Sequence, residues 1–275
     1  MEGGAGEEGV PPRGPGPPGG GGGRAGGEGG RAEPGTVQAV YLAARAFMAA
    51  GAGEGGEEPP ELRALLRACE AVSAREVGLD AWPIGGTVAE AGGGPAHSDG
   101  VIHRFRQSVA GTQKPSYMPI YQDEEVELGA FLLPAGCSMP LHDHPGMTVV
   151  SKVLTGRMKM RSLDWAAPPP TDWAVGGQTA RMANIVRDAV LEPATPAVAL
   201  MPHSGGNIHE LRAETACAFL DVLLPPYTVE GCGYYNVEGL LEEKAPGAQI
   251  GLRQVQPPED FYIEKFEYTG AQVIP

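Results

Sequence analysis

The segment Met139-Pro140-Leu141-His142-Asp143-His144-Pro145-Gly146-Met147-Thr148 places two imidazoles two residues apart in an apolar, strand-like run. Side chains at i and i+2 share one face of a strand, so both rings can converge on one metal. A third histidine, His209, follows Gly205-Gly206-Asn207-Ile208 and can close the set from a neighbouring strand. Three neutral nitrogen ligands suit Fe, Zn, Cu or Ni. A bare His-x-His is more often a pair of hydrogen-bonded histidines near a loop than a metal site, so context has to decide. His97, His103 and His203 have no comparable context, and His203, between Pro202 and Ser204-Gly205-Gly206, reads as a loop residue.

Asp221 lies inside the apolar run Cys217-Ala218-Phe219-Leu220-Asp221-Val222-Leu223-Leu224. A carboxylate buried without a partner is costly, so Asp221 either has a basic or donor partner or lines a polar cavity. Tyr227, after Pro225-Pro226, is as readily a packed aromatic as a site residue. Leu141 and Met147 flank the ligands and read as pocket walls, or equally as plain core.

These side chains need a scaffold. Val37, Val40, Tyr41, Ala44, Phe47 and Met48 fall at helical spacing after a Thr36 cap and before Gly51, which predicts a helix over 37–50. Pro60 at a first turn, then Leu62, Leu65, Leu66, Cys69 and Val72 on one stripe, predict a second over 60–72, forming a hairpin with the first. Residues 80–115 show no clear period beyond one short strand near 101–106. From Tyr117 the pattern changes to short β-rich runs at Tyr117–Tyr121, Val126–Leu133, Met147–Leu154, Met158–Leu163, Ile185–Leu191, Ala197–Met201, Ile208–Leu211 and Ala216–Leu224. Eight strands at that spacing predict an all-β barrel or sandwich. Residues 166–184 read as a long surface loop, and Pro257-Pro258-Glu259-Asp260 as a turn before a closing strand.

Composition bounds the rest. The chain has 275 residues, 42% of them hydrophobic, enough for a sizeable core. Residues 1–35, rich in Gly, Pro, Glu and Arg, cannot bury enough apolar surface to offset ordering entropy and read as a disordered tail. Residues 36–275 form the folded domain. The net charge of −14 divides into −5 over residues 1–61, four Arg against nine Glu, and −9 over the remainder, sixteen basic residues against twenty-five acidic, which disfavours nucleic-acid binding. No run approaches the length of a bilayer span, and no secretory leader is expected at the start. Cys69, Cys137, Cys217 and Cys232 form neither CxxC pairs nor a dense framework, so free thiols are expected in a reducing compartment.

The histidine segment resembles the first motif of cupin jelly rolls: Gly, five residues, His-x-His, a Glu ligand, six residues, Gly. Gly136, His142, His144 and Gly156 keep the spacing, but Val149 stands where the Glu belongs. A neutral three-histidine set leaves Fe(II) its full charge and favours an anionic ligand such as a thiolate.

More of the chain resembles one family, the thiol dioxygenases that include plant cysteine oxidases and animal 2-aminoethanethiol dioxygenase. The carrying motifs are Pro140–Thr148, Ser151-Lys152-Val153-Leu154, Leu163-Asp164-Trp165, Gly205-Gly206-Asn207-Ile208-His209, Phe219–Tyr227 and Pro257-Pro258-Glu259-Asp260-Phe261. The Leu-Asp-Trp and Gly-Gly-Asn-Ile-His forms are closer to the plant branch. The resemblance implies a cupin (double-stranded β-helix) barrel holding Fe(II) on His142, His144 and His209, which adds O₂ across a bound thiolate to give a sulfinic acid. It implies as substrate the N-terminal cysteine of proteins such as ethylene-response transcription factors, and a role in oxygen sensing and N-degron degradation in the hypoxia response. A monomer in cytoplasm and nucleus is the matching expectation; the alternatives are oxidation of a small aminothiol such as cysteamine and a catalytically silent metal-binding cupin. Asp221 and Tyr227 match the family's active-site carboxylate and tyrosine, and Cys232 with Tyr234 its cross-linking Cys-x-Tyr pair. The chain departs from the family in the shorter stretch Thr228–Gly231 before Cys232.

Overall fold

A computed structural model describes residues 36–51, 58–79, 114–167, 179–228 and 231–275, all within one unit, Pro34–Pro275. The expected tail over 1–35, the expected strand near 101–106, His97 and His103 lie outside the described residues.

Among the described residues, twelve strands follow two α-helices, α1 (Thr36–Ala50) and α2 (Pro60–Glu70). In order they are β1 (Ser116–Gln122), β2 (Glu127–Leu133), β3 (Ser138–His142), β4 (Thr148–Thr155), β5 (Met158–Trp165), β6 (Arg181–Leu191), β7 (Val198–Leu200), β8 (Ile208–Ala213), β9 (Cys217–Leu224), β10 (Tyr234–Glu238), β11 (Gln249–Val255) and β12 (Glu264–Lys265). Within the eight strands from β2 to β9, one sheet runs β2-β9-β4-β7 and the other β3-β8-β5-β6. That alternation between two antiparallel sheets is the double-stranded β-helix of a cupin jelly roll. β1 and β12 widen the first sheet, and β10-β11 close the second into a six-stranded barrel through β3.

Three apolar layers follow from this order. Met139, Val149, Val153, Met160, Leu211, Phe219 and Leu223 fill the space between the two sheets. Leu163, Ile185, Ile208, Tyr235, Ile250 and Leu252 lie on the other face of the second sheet, against β10 and β11. Val40, Phe47, Leu62 and Leu65 from the helices cover Leu128, Val150, Leu220 and Val222 on the outer face of the first sheet. With both faces covered, β4 and β9 are buried at every residue, and apolar residues outnumber polar ones in β9, where Asp221 is the one charged side chain. Lys152 is the charged residue of β4; its ammonium donates to the Pro193 and Thr195 carbonyls at 2.6 and 2.7 Å. Leu65→Ala removes a fully buried side chain from the helix layer, so denaturant melts should show a loss of about 2–5 kcal/mol. Metal binding by the folded protein should not change, because Leu65 lies on the far side of the first sheet from the histidines.

Several boundaries differ from the sequence reading. Thr36 is the first residue of α1 rather than its cap, and its hydroxyl donates to Glu76. Helix α2 ends at Glu70, two residues early. Residues 181–184, expected in a loop, extend β6, because they pair with both β5 and β11. β10 and β11 were not anticipated; their alternation becomes visible only against the second sheet that they cover. Glycines close the turns that the cupin spacing marks: Gly156 has φ 74°, and a Cβ there would lie 2.1 Å from the Ala216 carbonyl oxygen. Leu141 packs in the β10-β11 layer, not beside the histidines, because its side chain leaves β3 on the face opposite His142.

Candidate metal centre

β3 ends at His142, so His144 reaches the site from the turn that follows rather than from the same strand face. The two rings nevertheless converge, because His142 pairs directly with His209 of β8 and the turn folds His144 over both. Centroids are 5.0 Å apart for His142–His144, 4.7 Å for His142–His209 and 4.8 Å for His144–His209. One ligand atom from each lies within 4.8 Å of the others, and among the described residues no carboxylate joins the group. Val149 packs in the inter-sheet core. The cupin Glu position therefore offers no donor.

The hydrogen bonds suit a metal. His142 Nδ1 lies 2.7 Å from the Pro140 carbonyl and His144 Nδ1 lies 3.0 Å from the Asn207 carbonyl. Each bond puts the ring proton on Nδ1 and leaves the Nε2 lone pair free, the arrangement that orients a histidine ligand. His209 Nδ1 is buried with no partner among the described residues. Burial pulls the His142 pKa down, pulls His144 down to about 3 with help from the neighbouring His142, and pulls His209 well below its usual range. All three are thus neutral ligands at pH 7, and a divalent first-row metal fits the set.

Residues that the sequence reading passed over hold the loop in place. The Asn207 side-chain oxygen accepts from the His144 amide at 3.0 Å, and its Nδ2 donates to the Met147 and Met201 carbonyls at 3.3 and 3.0 Å. Asp164 accepts from the amides of Gly206 and Asn207 at 2.9 and 3.0 Å, fixing the Gly-Gly-Asn turn. Gly206 has φ 90°, and a Cβ there would meet the Ser162 hydroxyl at 2.1 Å. Asp143, between the two histidines, accepts from the Gly233 amide at 2.7 Å and the Tyr235 hydroxyl at 2.6 Å, tying β10 to the metal loop. The one signal that could have singled them out is their place in the motifs that carry the family resemblance, Pro140–Thr148, Leu163-Asp164-Trp165 and Gly205-Gly206-Asn207-Ile208-His209. Asn207→Ala removes three of these bonds at once, so metal affinity measured by competition with a chelator should drop about 10–100-fold.

Asp221 leaves β9 on the inter-sheet side, in register with Ser151 of β4, whose hydroxyl donates to it. Its partner is therefore a hydroxyl rather than a base. Burial raises the Asp221 pKa to about 7, the Ser151 bond opposes the rise, and the Glu127 charge adds to it. Tyr227 stacks on His144, centroids 5.6 Å apart, and donates to the Asp143 carbonyl at 3.0 Å. Burial and the nearby Cys232, Asp143 and Asp221 raise its pKa well above the ordinary value. The Tyr234 ring lies 6.3 Å from His142, and its hydroxyl and the Cys232 thiol share a hydrogen bond. All four cysteines are free, and Met147 packs in the inter-sheet core beside the site. His203 sits in the turn between β7 and β8.

A family model, PCO_ADO, matches residues 87–273, about two thirds of the chain and every residue of this site. The chain belongs to the PCO_ADO family. It is 41% identical over 174 residues to plant cysteine oxidase 1 of Arabidopsis thaliana, covering 58% of this chain and 58% of the relative. With plant cysteine oxidase 2 of Arabidopsis thaliana the identity is 34%, covering 62% and 65%. It is also 36% identical to the 2-aminoethanethiol dioxygenase of Mus musculus, covering 58% and 72%. The chain thus spans less than two thirds of the length of the plant relatives. A solved cupin superfamily protein from Desulfitobacterium hafniense aligns at 13% identity and a TM-score of 0.30, covering 42% of this chain and 81% of that one. The cupin fold of this PCO_ADO chain stands on its strand order.

Proposed function

We propose that this chain is an Fe(II)-dependent thiol dioxygenase that oxidises the N-terminal cysteine of peptides and proteins to the sulfinic acid. The observation that carries the reading is the all-histidine set: among the described residues, three buried neutral ligands and no carboxylate, in a member of the PCO_ADO family. His142, His144 and His209 would hold the iron, which when bound supplies the redox chemistry that lets O₂ react with a thiolate. The balance is RS⁻ + O₂ → RSO₂⁻: two S–O bonds form, the O–O bond breaks, and sulfur gives up four electrons. The thiol proton has to leave first. Asp221, with a pKa near neutrality, is the group suited to take it. Tyr227, stacked on His144, orients the substrate and limits water beside the histidines. The Cys232 thiol and Tyr234 hydroxyl, which share a hydrogen bond, are the pair that would cross-link on oxidation.

On this reading the activity reports O₂ and marks proteins such as ethylene-response transcription factors for degradation, and the chain works as a monomer in cytoplasm and nucleus. Four free cysteines agree with a reducing compartment. Among the described residues no helix is long and apolar enough to cross a membrane. Oxidation of cysteamine is the second reading, favoured by the similarity to the mouse 2-aminoethanethiol dioxygenase. Mass spectrometry of a Cys-initiated peptide after aerobic incubation with Fe(II)-loaded protein should show a gain of two oxygen atoms. Oxidation of cysteamine with the peptide left intact would transfer the assignment to the small aminothiol.

A further inference from the structure

One row of residues runs across four adjacent strands on the inter-sheet side. His142 of β3 pairs with His209 of β8, His209 with Ser162 of β5, and Ser162 with Arg187 of β6. Residues directly opposite in neighbouring strands share a face, so Arg187 faces the same space as two of the three histidines. The neighbouring row is Met139, Leu211, Met160 and Ala189, all apolar and part of the inter-sheet core. Arg187 therefore stands where the apolar floor gives way to the metal centre.

The guanidinium has little to hold it there. Among the described residues its hydrogen bond is one contact of 3.7 Å to the Met160 thioether, a weak acceptor for a group with five donors. Asp164 acts on it through its charge without forming an ion pair, its carboxylate accepting instead from Gly206 and Asn207. Beside it, the Ser162 hydroxyl and His209 Nδ1 are both buried without partners among the described residues. A half-buried cation that is desolvated yet unpaired is poorly compensated. Near a bound thiol, the group that compensates it best is a carboxylate, which the planar fork of Arg can hold in two parallel hydrogen bonds.

We propose that Arg187 is a specificity-determining residue that binds a carboxylate on the thiol substrate. This rests on the thiol dioxygenase reading and deepens it. Two sources share that chemistry: the α-carboxylate of free cysteine, and an acidic side chain directly after an N-terminal cysteine. Arg187 and His209 are one strand apart on either side of β5, roughly 10 Å between their backbones. The long Arg side chain spans most of that gap, which puts either source within reach.

The test measures anaerobic binding to Fe(II)-loaded protein by calorimetry, alongside KM and kcat from O₂ consumption. The ligands are L-cysteine, its methyl ester, cysteamine, and the amidated peptides Cys-Asp and Cys-Asn. Wild-type protein should bind L-cysteine more tightly than the methyl ester, or Cys-Asp more tightly than Cys-Asn, and the pair that differs identifies the source. Arg187→Met should abolish that preference by weakening the carboxylate-bearing ligand roughly 10–100-fold, as loss of a charged hydrogen bond does. KM should rise, kcat should hold, and the neutral ligands should stay within about twofold. Arg187→Lys should restore part of the affinity. Absence of any carboxylate preference in wild-type protein, or equal weakening of all five ligands in Arg187→Met, would overturn the proposal. Arg187-dependent binding without oxidation would sink the dioxygenase reading and leave the carboxylate site standing.

Discussion

Single replacement of His142, His144 or His209 by alanine should abolish stoichiometric iron and thiol oxidation while the jelly roll remains folded. The expectation follows from the count of donors, because among the described residues the group holds three histidines and no carboxylate. Losing one leaves two, too few to retain a divalent ion against water. Turnover should fall by more than the roughly 10–100-fold that loss of a supporting residue alone causes. The variants should differ in stability in a defined order. His144→Ala leaves the Asn207 carbonyl without its imidazole donor, and His142→Ala does the same to Pro140, whereas His209 Nδ1 has no partner among the described residues to lose. Thermal melts of the metal-free proteins should therefore place His209→Ala nearest to wild type. Metal analysis beside turnover decides the ligand set: normal iron and normal rate in any variant would remove that histidine from it.

Asp221→Asn should lower turnover by roughly 10²-fold with iron retained, the usual contribution of a placed proton-transfer group. The same substitution should stabilise the metal-free protein at alkaline pH. Burial raises the folded-state pKa from 3.8 to about 7, so the folded chain resists deprotonation that the unfolded chain undergoes readily. The resulting penalty is absent below pH 4, grows as pH rises through the interval, and is complete above pH 7. By linkage it amounts to a few kcal/mol at most. Asparagine carries no charge and can still accept from Ser151. Melting temperatures of the two proteins should then coincide near pH 4, with the variant higher at pH 8. A bound dication pulls the carboxyl back toward ionisation, so the difference should shrink on iron loading. Unchanged turnover with a lowered melting temperature would instead make Asp221 a purely structural residue.

The sequence by itself determined the ligand types and most of the β elements. His-x-His between Gly136 and Gly156, and a Gly-Gly turn before His209, are local facts, and so is the largely apolar run of β9, which marks a strand covered on both faces. Residues 37–50 show their helix because one stripe of it is apolar. What the sequence could not decide depends on pairing across the chain. That His144 acts from a turn follows from β3 ending at His142, and that Leu141 turns away follows from the register of β3 with β8. Asn207, Asp164 and Asp143 look like ordinary polar loop residues until folding carries Asn207 to His144, 63 positions earlier in the chain. Asp221 was legible as a buried carboxylate; that its partner is Ser151 and that its pKa lies near 7 required the alignment of β4 with β9. Arg187 gave no signal in a strand of mixed polarity. Hydrophobic period is encoded in neighbouring residues, whereas register, desolvation and the convergence of charges are set between strands distant in sequence, and so only the tertiary structure decided them.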